Sequence, residues 1–239
     1  MKMSKSRLLI YLQCPERFRL QYILKLATEE PKEGSPLVKG SELHQVFEDY
    51  YKIKEAREVK TEEDIFNLLI QHPLATKEDK ELQEEYHSHL SNFAAYNYNE
   101  LVEKGPEGYI PIGRELDLYD EKTRLRGIID RVEVGENGYK ILDYKTGRPG
   151  TLKKYTLELA LYKVLYENVT GNKVDKVGIY FSKNGKLRVT DITSQDCERA
   201  LGIMEGVRKK IKNKEFPQNP GFLCGWCNFE SICRENQYY

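Results

Sequence analysis

A chain of 239 residues with 39% apolar residues, 32% charged residues and 38 Lys+Arg against 38 Asp+Glu holds enough apolar material for one large domain. Its 17 Tyr and 8 Phe exclude low-complexity, collagen-like and charge-unbalanced disordered classes. No apolar run approaches the roughly 18 residues that cross a bilayer, and the patch in MKMSKSRLLIYLQCPERF lacks a small-residue cleavage site, so a cytoplasmic protein with no membrane partner is expected.

In chain order, Ser4 caps a short apolar helix, Pro15 opens a second through Phe18 and Ile23, and Pro31 to Pro36 with Gly34 forms a loop. Helical patterns follow over Gly40–Ile53, Glu62–Gln71 and Lys77–Lys104. After GPEG the period changes. Apolar runs in YIPIGRELDLYD, TRLRGIIDRVEV and YKILDYKTG, the last two split by the turn from Gly135 to Gly138, predict three strands in a meander. TLELALYKVLYENV is an amphipathic helix, VGIYF and LRVTDI are strands joined at Lys183-Asn184-Gly185, and Cys197 to Lys212 is a helix. Helices, strands, helix, strands and helix in that order predict an α/β fold around a mixed sheet.

Charge is unevenly spread along this order. Residues 61–108 carry three Lys/Arg against eleven Asp/Glu, residues 145–190 ten against three, and residues 1–25 six against one. One part repels phosphate and two attract it, which suits a polyanionic substrate.

Five cysteines in a cytoplasmic chain are not a disulfide framework. Cys224, Cys227 and Cys233 lie in CGWCNFESIC and Cys14 in YLQCPERF, a possible four-thiolate site that spacing alone leaves open between tetrahedral zinc and an iron–sulfur cluster. Cys197 has no partner at ligand spacing and reads as core.

The strand chemistry centres on ILDYKTG. Asp143 and Lys145 are two apart and emerge on one face, while Tyr144 points to the other. Asp130, in RLRGIID, comes alongside if the strands pair through the Gly135–Gly138 turn. An isolated D-x-K is more often a cross-strand ion pair. Two carboxylates beside a lysine within apolar strands, however, can hold Mg²⁺ or Mn²⁺ while the lysine stabilises charge on a phosphoryl oxygen. Relief of clustered carboxylates predicts that losing Asp143 leaves the fold intact, and even stabilises the metal-free form.

Five segments, SKSRLLIYLQCPERFRLQYI, KGSELHQVFEDYY, LRGIIDRVEV, YKILDYKTG and CGWCNFESIC, stand in an order and spacing that resembles the PD-(D/E)xK nucleases of the RecB type that carry an iron–sulfur cluster. The resemblance covers most of the chain. It implies a restriction-endonuclease-like mixed sheet flanked by helices, with a helical part over 1–108, a catalytic core over 109–215 and an iron–sulfur segment over 216–239 completed by Cys14. It also implies a 4Fe-4S cluster on Cys14, Cys224, Cys227 and Cys233, and Mn²⁺ or Mg²⁺ on His44, Asp130, Asp143 and the Tyr144 carbonyl. Asp130, Asp143, Lys145 and Tyr162 are then the catalytic residues, and Lys145, Arg148, Glu158 and Tyr162 the DNA contacts. Without that context His44 would read as an ordinary helix residue. His72, His87 and His89 lack such context and read as solvated helix faces. The chain departs from the family where Gln usually precedes Tyr by four residues: the pair here is Glu158 and Tyr162, and a carboxylate cannot donate as an amide does.

The expected activity is a metal-dependent exonuclease on single-stranded DNA or DNA ends, partnered by a repair helicase or by a CRISPR integrase. The rivals are a DNA-binding scaffold of the same fold that has lost its chemistry and an iron–sulfur electron carrier. Against the scaffold stands a complete set of His44, Asp130, Asp143 and Lys145.

Overall fold

The computed structural model describes residues 2–28, 31 and 33–235; parts of the predicted Pro31–Pro36 loop and the last four residues of the cysteine-rich segment lie outside them. Short-range signals open most helices. Ser4 Oγ accepts the Arg7 amide at the head of α1 (Lys5–Gln13). A proline opens α2 (Pro15–Phe18), which runs on as a π-helical turn over Arg19–Ile23. Ser35 caps α3 (Pro36–Tyr50) by accepting the Val38 amide. With Pro36 at its first position, that helix starts before the predicted Gly40. Thr61 and Asp64 close a capping box on α4 (Glu62–Ile70). Asp79 caps α5 (Lys80–Gly108), which passes the predicted end at Lys104 across a break at Gly105, where φ is 74°. The next strand therefore begins later than the apolar run suggested. A left-handed Gly171 ends α6 (Thr156–Thr170), and a second capping box, Thr193 with Asp196, opens α7 (Ser194–Lys212).

The predicted strands form one mixed sheet: β2 (Gly113–Asp120), β3 (Leu125–Val134), β4 (Tyr139–Lys145), β5 (Val174–Phe181) and β6 (Lys186–Thr190). The first three make an antiparallel meander, β5 lies parallel to β4 after the α6 crossover, and β6 returns antiparallel. A short strand not visible in the sequence pattern, β1 (Met3–Ser4), pairs parallel with Leu125 and Arg126 of β3. It takes the β3 edge that β4 leaves free.

Two apolar clusters sandwich the sheet. On one face Leu8 and Tyr11 of α1, Leu159 and Leu165 of α6 and Met204 of α7 pack with Ile129, Ile141 and Ile179. On the other Phe47 of α3, Ile65 of α4 and Phe93 of α5 pack with Leu142, Tyr144 and Tyr180. Cys197 is half-buried against the first cluster, and burial raises its thiol pKa. Among the described residues no helix is long and apolar enough to cross a membrane. The closing α8 (Glu230–Glu235) follows the 3₁₀ turn Phe222–Trp226 in the cysteine-rich segment.

The histidines correct part of the sequence reading. His72 is half-buried beside Asp49, 3.2 Å from its Oδ2, and His87 is half-buried beside Gln83. His89 is buried at 1% exposure, because Tyr86, His89, Leu90 and Phe93 share the apolar face of α5, a spacing that outweighs the glutamates nearby. Its Nδ1 lies 2.8 Å from Ser182 Oγ, and the Ser182 amide donates to the Lys145 carbonyl at 3.0 Å. Burial is the main cause pulling the His89 pKa down to about 4, with Lys39 and Lys183 adding to it and Glu85 opposing. The unfolded chain takes up a proton near pH 6.5 and the folded one resists it, so stability falls as pH drops through that window. The loss is on the order of 3 kcal/mol at pH 4. In thermal melts His89→Gln should flatten the fall in melting temperature between pH 7 and pH 4.5; an unchanged slope would assign the acid sensitivity elsewhere.

Candidate active site

The site lies where β3 and β4 part. Their ladder runs from Val134 opposite Tyr139 to Arg131 opposite Leu142, and beyond it the Asp130 carboxylate accepts the Tyr144 amide at 2.6 Å. On the other side of β3, Arg114 faces Arg131 and Leu116 faces Ile129, so Glu115 stands level with Asp130. Glu115 has φ 40°, a left-handed conformation rare for a side-chain-bearing residue and concentrated at functional sites. At this level the in–out alternation of β3 changes phase. Gly127 faces Leu165 and Tyr162 of α6, whereas Arg131 reaches Tyr51, Asn97 and the Tyr109 carbonyl in the α3–α5 layer. That fully buried guanidinium, also paired with Glu133, ties β3 to the helices beside the site.

His44 reaches the gap from α3, whose Gly40 lies against the end of β4: a Cβ there would stand 3.5 Å from Thr146 Oγ1, an ordinary contact. His44 Nε2 is 3.1 Å from the Tyr144 carbonyl oxygen, and Nδ1 is 3.5 Å from Asp130 Oδ2 and 3.6 Å from Glu115 Oε1. Ligand atoms of His44, Glu115 and Asp130 all lie within 4.8 Å of one another. One imidazole, two carboxylates and a nearby carbonyl are a donor set that suits Mg²⁺ or Mn²⁺. Burial pushes the Asp130 carboxyl up, and the neighbouring Asp143 charge pushes it further. Burial would lower His44, yet Asp130, Glu115 and Asp143 outweigh it and raise the imidazole. A group of anions left in excess in this way attracts a cation.

The Asp143 carboxyl shifts in the opposite direction. It is 1% exposed, Lys145 Nζ lies 2.5 Å from its Oδ2, and Lys5 Nζ lies 3.1 Å from its Oδ1. Burial pushes its carboxyl up, but Lys5 and Lys145 prevail and hold it below the usual range. Asp143 and Lys145 thus share a face as their spacing predicts, while Tyr144 packs edge-on against Phe47 and Phe93 on the other. Glu158, in the first turn of α6, is buried and accepts Lys145 at 2.6 Å and Lys5 at 3.1 Å. Tyr162 is buried with its ring face 4.6 Å from the Lys5 ammonium, and Arg148 is exposed in the loop after β4.

The structure therefore gathers His44, Asp130 and the Tyr144 carbonyl with Glu115, and sets Asp143, Lys145 and Glu158 in an ion-paired cluster with Lys5; among the described residues Asp143 is not part of the group whose ligand atoms lie within 4.8 Å of one another. Sequence reasoning missed Glu115 and Lys5. A hairpin register carried across the Glu121–Thr123 turn would have placed Glu115 opposite Asp130; nothing local marks Lys5. Asp117, also on β2, is exposed and forms a two-bonded pair with Arg126.

A second cluster forms where α1 ends. Cys14, Cys224, Cys227 and Cys233 line one cavity of about 450 Å³ together with Gln13, Arg17 and Phe229. Burial first, then Glu16 and the other three cysteines, raises the Cys233 thiol, and the Gly221 amide points at Cys224 Sγ from 3.4 Å. Asn219 Nδ2 donates to the Gln13 carbonyl, and Phe216 stacks on Phe18, so the tail returns to the start of the chain. Four thiols line one cavity, but among the described residues no three of them lie within 4.8 Å of one another, wider than the closed tetrahedron of a single zinc.

Parts of the chain are similar to curated relatives. The chain is 38% identical over 73 residues to an ATP-dependent helicase/nuclease protein of Carboxydothermus hydrogenoformans, covering 28% of this chain and 6% of that protein. It is 30% identical over 100 residues to the ATP-dependent helicase/nuclease protein of Clostridium perfringens strain 13, covering 39% and 8%. It is 27% identical over 158 residues to an ATP-dependent helicase/deoxyribonuclease protein of Streptococcus uberis, covering 62% and 14%. These matches span at most 14% of the relatives' own lengths. Residues 2–234 match the PD-(D/E)XK nuclease superfamily over nearly the whole sequence, and with the parted strands, the carboxylates and Lys145 in place the chain belongs to that superfamily.

Proposed function

We propose that the chain is a divalent-metal-dependent deoxyribonuclease, an exonuclease acting on single-stranded DNA or DNA ends, with Mn²⁺ or Mg²⁺ at the strand gap and a 4Fe-4S cluster on the four cysteines. The convergence of His44, Glu115 and Asp130 beside the Asp143–Lys145 pair carries this reading. His44, Glu115, Asp130, Asp143 and the Tyr144 carbonyl are the residues that would hold the ion. Bound there, the metal would activate a water and polarise the scissile phosphate. The chain's own residues do the rest. Burial opposes the Lys145 charge, but Asp143 and Glu158 prevail and raise its pKa, so it stays an ammonium at neutral pH and acts by electrostatic stabilisation of the phosphoryl oxygens rather than as a base. Arg148 stands exposed to guide the strand. Tyr162 supports Lys5 from below. The relatives are helicase/nuclease proteins by name, which favours DNA ends delivered by a helicase over a role beside a CRISPR integrase.

The test is digestion of single-stranded DNA labelled at either end, with Mn²⁺ or Mg²⁺ and with EDTA. Shortening from one labelled end with metal, and none with EDTA, is expected. Folded wild-type protein that binds DNA without cutting it with either metal would leave the scaffold reading instead.

A further inference from the structure

Lys5 belongs to none of the site residues that the motifs marked, yet it sits inside the gap. As the first residue of α1, directly after β1, it is held in place by the pairing of Met3 and Ser4 with β3. Its ammonium stands 3.1 Å from both Asp143 Oδ1 and Glu158 Oε1, and Lys145 bridges the same two carboxylates at 2.5 and 2.6 Å. Two ammoniums and two carboxylates thus close a ring whose charges cancel. Glu115 and Asp130 stand beside it, and among the described residues His44 is the one side chain within ion-pair distance of either. In the protonation state that ligates a metal, with His44 neutral and Glu115 and Asp130 ionised, these groups carry two negative charges, the amount one divalent cation offsets. A phosphodiester then brings a further negative charge, and the lysines are the groups positioned to meet it.

We propose that Lys5 is a second phosphate-binding cation of this site, exchanging its contact with Asp143 for a non-bridging oxygen of the DNA strand while Glu158 holds its other side. The reason is one of valence: an Asp143 oxygen engaged by a cation is a weaker acceptor for an ammonium, and Lys5 keeps 18% of its side chain exposed. This also accounts for a carboxylate at position 158. Glu158 cannot donate to phosphate, but it can orient two ammoniums that do. The inference rests on the nuclease reading above, and it separates Lys5 from a structural strut by charge alone.

The experiment measures two affinities on Lys5→Met, Lys5→Gln and Lys5→Arg. The first is binding of a fluorescent single-stranded oligonucleotide in Ca²⁺ across a salt series, and the second is Mn²⁺ binding without DNA. Lys5→Met should weaken DNA binding about tenfold at low salt and lower the salt slope by about 0.7, one phosphate contact on a single strand. The same change should tighten Mn²⁺ several-fold, since the gap becomes more negative. Lys5→Arg should keep the wild-type slope. If Lys5→Met does not fold, Lys5→Gln, which keeps a hydrogen-bonding end without the charge, carries the test with the same signs: weaker DNA with a lower salt slope, and tighter Mn²⁺. A folded Lys5→Met with an unchanged slope, or with DNA and Mn²⁺ weakened together, overturns the role of Lys5 and leaves the nuclease reading standing. Wild-type protein that neither binds nor cuts DNA removes the nuclease reading itself.

Discussion

Asp143→Ala should lower DNA cleavage by at least about a thousandfold, the scale lost when a preorganised electrostatic group is removed from an active site. Lys145→Ala should fall nearly as far, because its ammonium is the charge aimed at the reacting phosphate. Asp117→Ala, which breaks only the exposed pair with Arg126, should retain activity. The stability effect departs from what clustered carboxylates suggested. Asp143 is the carboxylate held low by two lysines, so removing it leaves Lys5 and Lys145 to share Glu158. Breaking a buried pair of this kind costs about 3 kcal/mol, so the melting temperature should drop while the fold persists. The strained member is Asp130, raised by burial and by Asp143. Asp130→Asn should therefore abolish cleavage with no loss in melting temperature. Activity of Asp143→Ala at the wild-type level would remove the site assignment, and an Asp130→Asn protein less stable than Asp143→Ala would reverse the charge ordering.

Cys227→Ser should bleach the protein and loosen its fold. Protein purified without oxygen is expected to be brown, with iron and sulfide present, and the variant colourless. A cluster would join Cys14 to Cys224 across 210 residues of chain, adding to the non-covalent ties of the tail such as Phe216 on Phe18, the Tyr11 hydroxyl on the Glu215 carbonyl and Asn219 on the Gln13 carbonyl. A crosslink closing a loop of that length is worth up to about 5 kcal/mol through the unfolded chain. At about 2–4 °C per kcal/mol for a chain of this size, the melting temperature should fall by up to roughly 10–20 °C. A colourless wild type with one bound zinc would replace the cluster and spare the nuclease. An unchanged melting temperature on losing the cluster would show that it does not clasp the two ends.

Much of this was readable residue by residue, because it depends on contacts a few positions apart. Ser4, Thr61, Asp79 and Thr193 each cap the amide three residues on, and they mark helix starts without knowledge of anything distant. The two-residue period of a strand put Asp143 and Lys145 on one face and Tyr144 in the core. His89 was also legible through its i, i+3 and i+4 apolar neighbours, had helical spacing been weighed above local charge. Other features had no local trace. Lys5 meets Asp143 across 138 positions, and Glu115 faces Asp130 through a hairpin register. β1 is two residues long, too short for a period to show. The opposite pKa shifts of Asp130 and Asp143, two aspartates that look alike as letters, follow from which cations the folded chain brings to each. Periodicity and capping act along the chain, whereas Coulomb energy and burial depend on distances through space that only the packed sheet and helices establish.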